Sequence, residues 1–159
     1  MALGEQNKEK EKILEAKNEV GVAGFISFTT FSTFLDYEIQ RIKTTGTPIA
    51  IGKIKIDISL NDKTKLGFKF QNLLQEIGEF IKNTTSPSDI LTVGPNDVFL
   101  IITSDNSMTK LDFLLANLQL STQKMLSLAF PEVDISARVK STYIDGSLSK
   151  TEIINDLIR

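Results

Sequence analysis

A chain of 159 residues, 41% of them hydrophobic, can bury one sizeable core and is too short for two ordinary domains. Its 18 basic and 20 acidic residues are interspersed without a long block of either sign, which argues against nucleic acid and anionic membrane as partners. The absence of Cys and His excludes disulfides, thiolate nucleophiles, the usual zinc ligand sets and any Ser-His or Cys-His pair, so only carboxylates, amines and hydroxyls remain for chemistry.

From Glu5 to about Val20 the chain is rich in Glu, Lys and Ala, with Ile13, Ala16 and Val20 at helical spacing. So thin an apolar stripe suits a helix that is solvated or that pairs with its own copy as a short coiled coil. Residues 1–20 therefore read as a linker or signalling helix ahead of one domain over 21–159. A second helix is expected from Thr29 to Lys43, with Phe31, Phe34, Leu35 and Ile42 on its apolar face; Thr44-Thr45-Gly46-Thr47-Pro48 stops it. Ile49 to Asp57 is a β-branched run interrupted by Gly52, Lys53 and Lys55, which reads as a central strand with a polar end. Leu66, Phe70, Leu73, Leu74, Ile77, Phe80 and Ile81 then predict one amphipathic helix, and Asn83 to Ser88 a loop.

Asp89 to Val93 and Asp97 to Thr103 predict two short strands joined as a hairpin across Gly94-Pro95-Asn96. Met108, Leu111, Leu115, Leu118, Thr122 and Met125 mark a long helix closed by Pro131. Val133, Ile135, Ala137 and Val139 alternate with polar residues in a last strand, and a final helix runs from about Lys150. Without its first two helices the order is βαββαβ, an α+β sandwich with a ferredoxin-like core and an antiparallel or mixed sheet. That topology places the first core strand in the middle, beside both the hairpin strand and the last strand. No apolar run approaches a membrane span, so a cytoplasmic protein, or the cytoplasmic part of a larger one, is expected, without direct membrane insertion.

Local spacing adds a resemblance. Leu35 to Asp57, with its Thr45-Gly46-Thr47-Pro48 turn and a strand ending Lys55-Ile56-Asp57, resembles the first helix and strand of GGDEF domains, the diguanylate cyclase family, where the strand ends Asp-x-Asp. Ser86 to Val93 aligns without gaps to that family's Arg-x-x-Asp and following strand, which brings Pro95-Asn96-Asp97-Val98-Phe99 onto the Gly-Gly-Asp-Glu-Phe signature. Val133 to Val139, followed by Tyr143 and Asp145-Gly146, is similar to the family's last strand. The resemblance implies a GGDEF-like, nucleotidyl-cyclase-like fold preceded by an N-terminal helix.

It also implies lost chemistry. Active members hold magnesium with the first carboxylate of Asp-x-Asp and the third residue of the signature; here these are Lys55 and Asp97. The signature's second acid is Val98. Pro95 lacks an N–H and Asn96 adds a side chain where glycines let the backbone approach phosphate. Gly-Pro-Asn-Asp is also ordinary turn chemistry that requires no ligand. The former metal and phosphate region thus comprises Lys53, Lys55, Asp57 and Asp97. The inhibitory Arg-x-x-Asp becomes Ser86 and Asp89, which loses the bidentate guanidinium. Asn61 and Asp62 are the guanine-side candidates, with Gln71 or Asn72 near the family's second position, and all of these read equally as solvated helix-end polar groups. The family's polar opening clasp falls on Val20 to Phe28, where only Gly24 matches, so the incoming helix is expected to dock by packing. Lys55 would form an ion pair with Asp97 in place of the metal, with Lys53, Arg138 and Lys140 nearby, or else these lysines reach to solvent independently of Asp97.

The expectation is a degenerate GGDEF-like domain that is not an enzyme, with no cofactor and no metal. Its partners would be another protein or an attached sensor domain, with a homodimer through the N-terminal helix as a further option. The alternative is an effector that binds GTP or cyclic di-GMP without cyclase activity.

Overall fold

The computed structural model describes residues 24–104 and 107–159. The helix expected over 5–20 and residues 20–23 of the opening clasp lie outside them.

Short polar residues set the ends of the elements. Strand β1 (Phe25–Ile26) leads into helix α1 (Phe28–Thr45), where the Ser27 hydroxyl accepts from the Thr30 amide at 3.1 Å. Gly46, at φ 73, ends α1 by turning its N–H back to the Ile42 carbonyl, a left-handed cap that glycine adopts without a Cβ clash. Strand β2 (Ile49–Ile58) follows, and then helix α2 (Leu60–Leu66), capped by Ser59. Gly67, at φ 54, separates α2 from helix α3 (Phe68–Thr84). The single helix expected from Leu66 is thus two helices, because the left-handed glycine breaks the hydrogen-bond ladder that the apolar spacing appeared to continue.

Strands β3 (Ile90–Gly94) and β4 (Val98–Ile102) form the hairpin; helix α4 (Met108–Ala129), strand β5 (Ile135–Ile144) and helix α5 (Lys150–Leu157) complete the chain. β5 runs to Ile144 rather than stopping at Val139, since its whole length pairs with β2. Ser149 and Glu152 close a reciprocal capping box at the start of α5.

The sheet order is β1-β3-β4-β2-β5. β1 lies parallel to β3, and every other pairing is antiparallel. β2 is therefore central, between β4 and β5, as the ferredoxin-like order requires. Sequence reading had no strand at Phe25–Ile26; two residues are too few to show alternation. Both faces of the sheet are covered, with Ala50, Ile54 and Ile56 of β2 packed with α3 and α4, and Ile49 and Ile51 packed with α1 and α5. Gly52 lets α4 sit close to the sheet: a Cβ there would lie 2.9 Å from Leu111 Cδ1 and 3.0 Å from Leu115 Cδ2.

Candidate functional site

Alternation along β2 turns Lys53, Lys55 and Asp57 to the α1/α5 face. Register places Lys140, Arg138 and Ser136 of β5 directly opposite them. The row of cations expected from sequence is thus assembled, and the end of α5 lies against it. Lys53 Nζ donates to the Asp156 carbonyl at 3.0 Å, and Lys55 Nζ donates to the Arg159 backbone oxygen. Lys140 Nζ pairs with the Asp156 carboxylate at 3.2 Å. Arg138 holds Asp57 in a two-pronged contact at 2.9 and 3.3 Å and reaches the Arg159 oxygen at 3.5 Å. The physical reason is the helix end: its last carbonyls lack intrahelical partners and carry the negative end of the dipole, so cations stabilise them.

Lys53 is only 3% exposed. Burial holds its pKa below the ordinary lysine value; Asp156 opposes that shift, and Lys140, Arg138 and Lys55 add to it.

The signature-equivalent turn is tied to the same helix. Gly94 pairs with Val98 across a three-residue turn, in which Asn96 and Asp97 have φ of 63 and 58, left-handed values that Asn and Asp tolerate best after glycine. Asn96 Nδ2 donates to the Ile158 carbonyl at 3.2 Å. Val98 is fully buried with the α1/α5 core, and Phe99 packs edge-on against Phe25 at 6.2 Å. The bulk of this segment is therefore spent on core and turn.

The Lys55–Asp97 ion pair expected from sequence does not form. Lys55 lies opposite Val98 in the ladder and shares its face of the sheet, whereas Asp97 precedes the strand, in the turn. Its Oδ2 instead takes Lys63 Nζ of α2 at 2.5 Å, and that ammonium also stands 5.6 Å from the Phe70 ring centre. Magnesium prefers several anionic oxygens. An ammonium at the strand position and a carboxylate already paired with lysine do not fit it.

Asn61 and Asp62 occupy the first turn of α2, where the Ser59 hydroxyl accepts from the Asp62 amide at 3.1 Å. Beside them is an open depression of about 320 Å³, lined by Leu60, Lys63, Thr64, Gly67, Phe68 and Gln71, so neither Asn61 nor Asp62 lines it, whereas Gln71 does. Leu60 and Phe68 are strongly exposed there. Ser86 and Asp89 do meet, but in a fold contact: buried Asp89 accepts the Ser86 amide at 2.9 Å and the Ser104 amide at 3.0 Å, joining the two ends of the hairpin. Sequence reasoning missed Lys63 and the carbonyls of Asp156, Ile158 and Arg159. Lys63 is distant in sequence from Asp97, and backbone acceptors leave no residue signature.

No protein-family model and no curated protein matches the chain. Solved structures do. The diguanylate cyclase SiaD of Pseudomonas aeruginosa, solved with its activator SiaC, superposes with a TM-score of 0.70 at 13% identity, covering 98% of this chain and 61% of SiaD. This chain thus spans less than two thirds of SiaD. The coiled coil and GGDEF domain of DgcB from Caulobacter crescentus, in complex with c-di-GMP, gives 0.68 at 12% identity over 98% of this chain and 87% of that one. The GGDEF domain of FimX from Pseudomonas aeruginosa gives 0.66 at 12% identity over 87% of each chain. These likenesses establish architecture: the chain has the fold of GGDEF diguanylate cyclase domains.

Proposed function

We propose that this GGDEF-fold domain is a non-enzymatic signalling module that acts through contacts with a protein partner or an attached sensor domain. The observation that carries the reading is the occupied state of the worn site. Lys55 stands where the resemblance puts a metal ligand and donates to the Arg159 backbone oxygen just past α5, while Asp97 is paired with Lys63. Pro95 offers no N–H to a phosphate, and Val98 is committed to the core. A protein partner suits a fold whose neighbour SiaD was solved with an activator protein.

One observation favours a second reading, an effector that binds GTP or cyclic di-GMP without turning it over. Lys53, Lys55, Arg138 and Lys140 form a row of four cations to which, among the described residues, the carboxylates of Asp57 and Asp156 are paired. Phosphates would have to displace the α5 carbonyls to reach it. Calorimetric titration with GTP and with cyclic di-GMP separates the two. The first reading predicts no saturable heat at micromolar ligand; saturable binding that is lost in Lys55→Ala replaces it with the second.

A further inference from the structure

β5 forms one edge of the sheet, and its outer side is protected over only part of its length. The unbroken pairing with β2 fixes which backbone groups point outward. At the start of the strand two glutamines of α4 satisfy them: Gln119 Nε2 donates to the Ala137 carbonyl at 3.0 Å, Gln123 Nε2 to the Ile135 carbonyl at 3.3 Å, and Gln123 Oε1 accepts the Ala137 amide at 2.9 Å. By the same alternation the N–H and C=O groups of Val139, Ser141 and Tyr143 also point outward. Among the described residues nothing pairs with them. A bare edge of this kind is a template for another strand.

We propose that the Val139–Tyr143 edge of β5 receives an extended segment of a partner protein in which apolar and acidic residues alternate, added to the sheet as a further strand. The two faces of the edge specify that alternation. On the α1/α5 face the added strand meets Arg138 and Lys140, whose side chains are 52% and 54% exposed and belong to a row with more cations than carboxylates. Acidic residues complement that face. On the α4 face it meets Val139 and the half-exposed Tyr143, with Asp112 accepting the Ser141 hydroxyl at 2.6 Å between them. Apolar residues suit that face, and Asp112 disfavours acids there. Main-chain hydrogen bonds supply the attraction, and the alternating side chains supply the selectivity. A second copy of this chain fits less well, since pairing two β5 edges about Ser141 brings the Asp112 carboxylates of both copies to the same place. The inference rests on the protein-contact reading and names the surface and the chemistry of its partner.

The test uses the full chain and a capped heptapeptide of alternating Val and Glu, with a Val/Lys heptapeptide as control, read by amide solvent exchange in NMR. At a peptide concentration about ten times its Kd, the amides of Val139, Ser141 and Tyr143 slow about tenfold, following the occupancy factor. Those of Lys140 and Thr142, already bonded to β2, do not change. Ser141→Pro, which removes an outward N–H and no β2 bond, and Tyr143→Lys, at a half-exposed site, each abolish the protection. Unchanged exchange at the three outward amides, equal protection by the Val/Lys peptide, or full binding by both variants overturns the proposal. None of these results touches the cyclase and nucleotide measurements on which the protein-contact reading stands.

Discussion

Replacing Asp156 with Asn tests the cation row directly. The substitution keeps the backbone carbonyl that accepts Lys53 and removes the carboxylate held by Lys140 at 3.2 Å. The Lys140 contact is partly exposed at both ends, so its loss costs about 0.2–1 kcal/mol. The larger effect falls on Lys53, which is 3% exposed and loses the one neighbour that raises its pKa while Lys140, Arg138 and Lys55 still lower it. Leaving a buried cation less compensated brings the total to about 1–3 kcal/mol near neutral pH, or a fall in Tm of about 2–4 °C per kcal/mol for a chain of this size. The pH dependence has a definite sign. A lysine whose folded pKa is depressed gives up its proton in the native state before the unfolded chain does, so stability rises with pH from that folded pKa up to the unfolded value of about 10.4. Removing Asp156 deepens the depression, so the deficit of Asp156→Asn shrinks as pH is raised toward about 9.5. Urea unfolding of both proteins at about pH 7 and about pH 9.5 measures this. An unchanged midpoint at neutral pH, or a deficit that grows with pH, refutes the reasoning.

Gly52→Val drives two methyl groups into the buried ends of Leu111 and Leu115, already 2.9 and 3.0 Å from a single added Cβ, and costs about 1–3 kcal/mol by urea unfolding; a more stable variant contradicts the close seating of α4. Asp89→Ala leaves the Ser86 and Ser104 amides without their acceptor and costs about 1–3 kcal/mol, with Asp89→Asn losing less; equal stability of all three proteins would show that the carboxylate is not a structural tie. Asp97→Ala and Asp97→Gly both lose the Lys63 pair, but only Ala keeps a Cβ at φ 58, so the urea midpoint of Asp97→Ala falls below that of Asp97→Gly.

Long, strongly patterned elements were legible in the sequence. The β-branched run of β2, the amphipathic α3 and the hairpin punctuated by Gly94-Pro95-Asn96 fix the core topology, because each shows its period over several turns or alternations. β1 was not legible, since Phe25–Ile26 is too short for any period and gains its strand character only from pairing with β3. The break at Gly67 was hidden because Leu66 falls in phase with Phe70. At the site, the cation row followed from alternation and register. What engages it did not: Lys53, Lys55 and Asn96 bond to backbone oxygens of Asp156, Arg159 and Ile158, which leave no side-chain signature in the sequence. The wrong partner for Asp97 has a similar origin. Its place in the turn aims its carboxylate at Lys63 on a helix whose boundaries the sequence pattern blurred.

The central proposal is that this GGDEF-fold domain, in which Lys55 donates to the Arg159 backbone oxygen and Asp97 is paired with Lys63, performs no cyclase chemistry. Incubation of the full chain with GTP and magnesium or manganese, followed by chromatography, tests it most directly. The account predicts that GTP is recovered intact with either metal; appearance of cyclic di-GMP in proportion to protein concentration would contradict it.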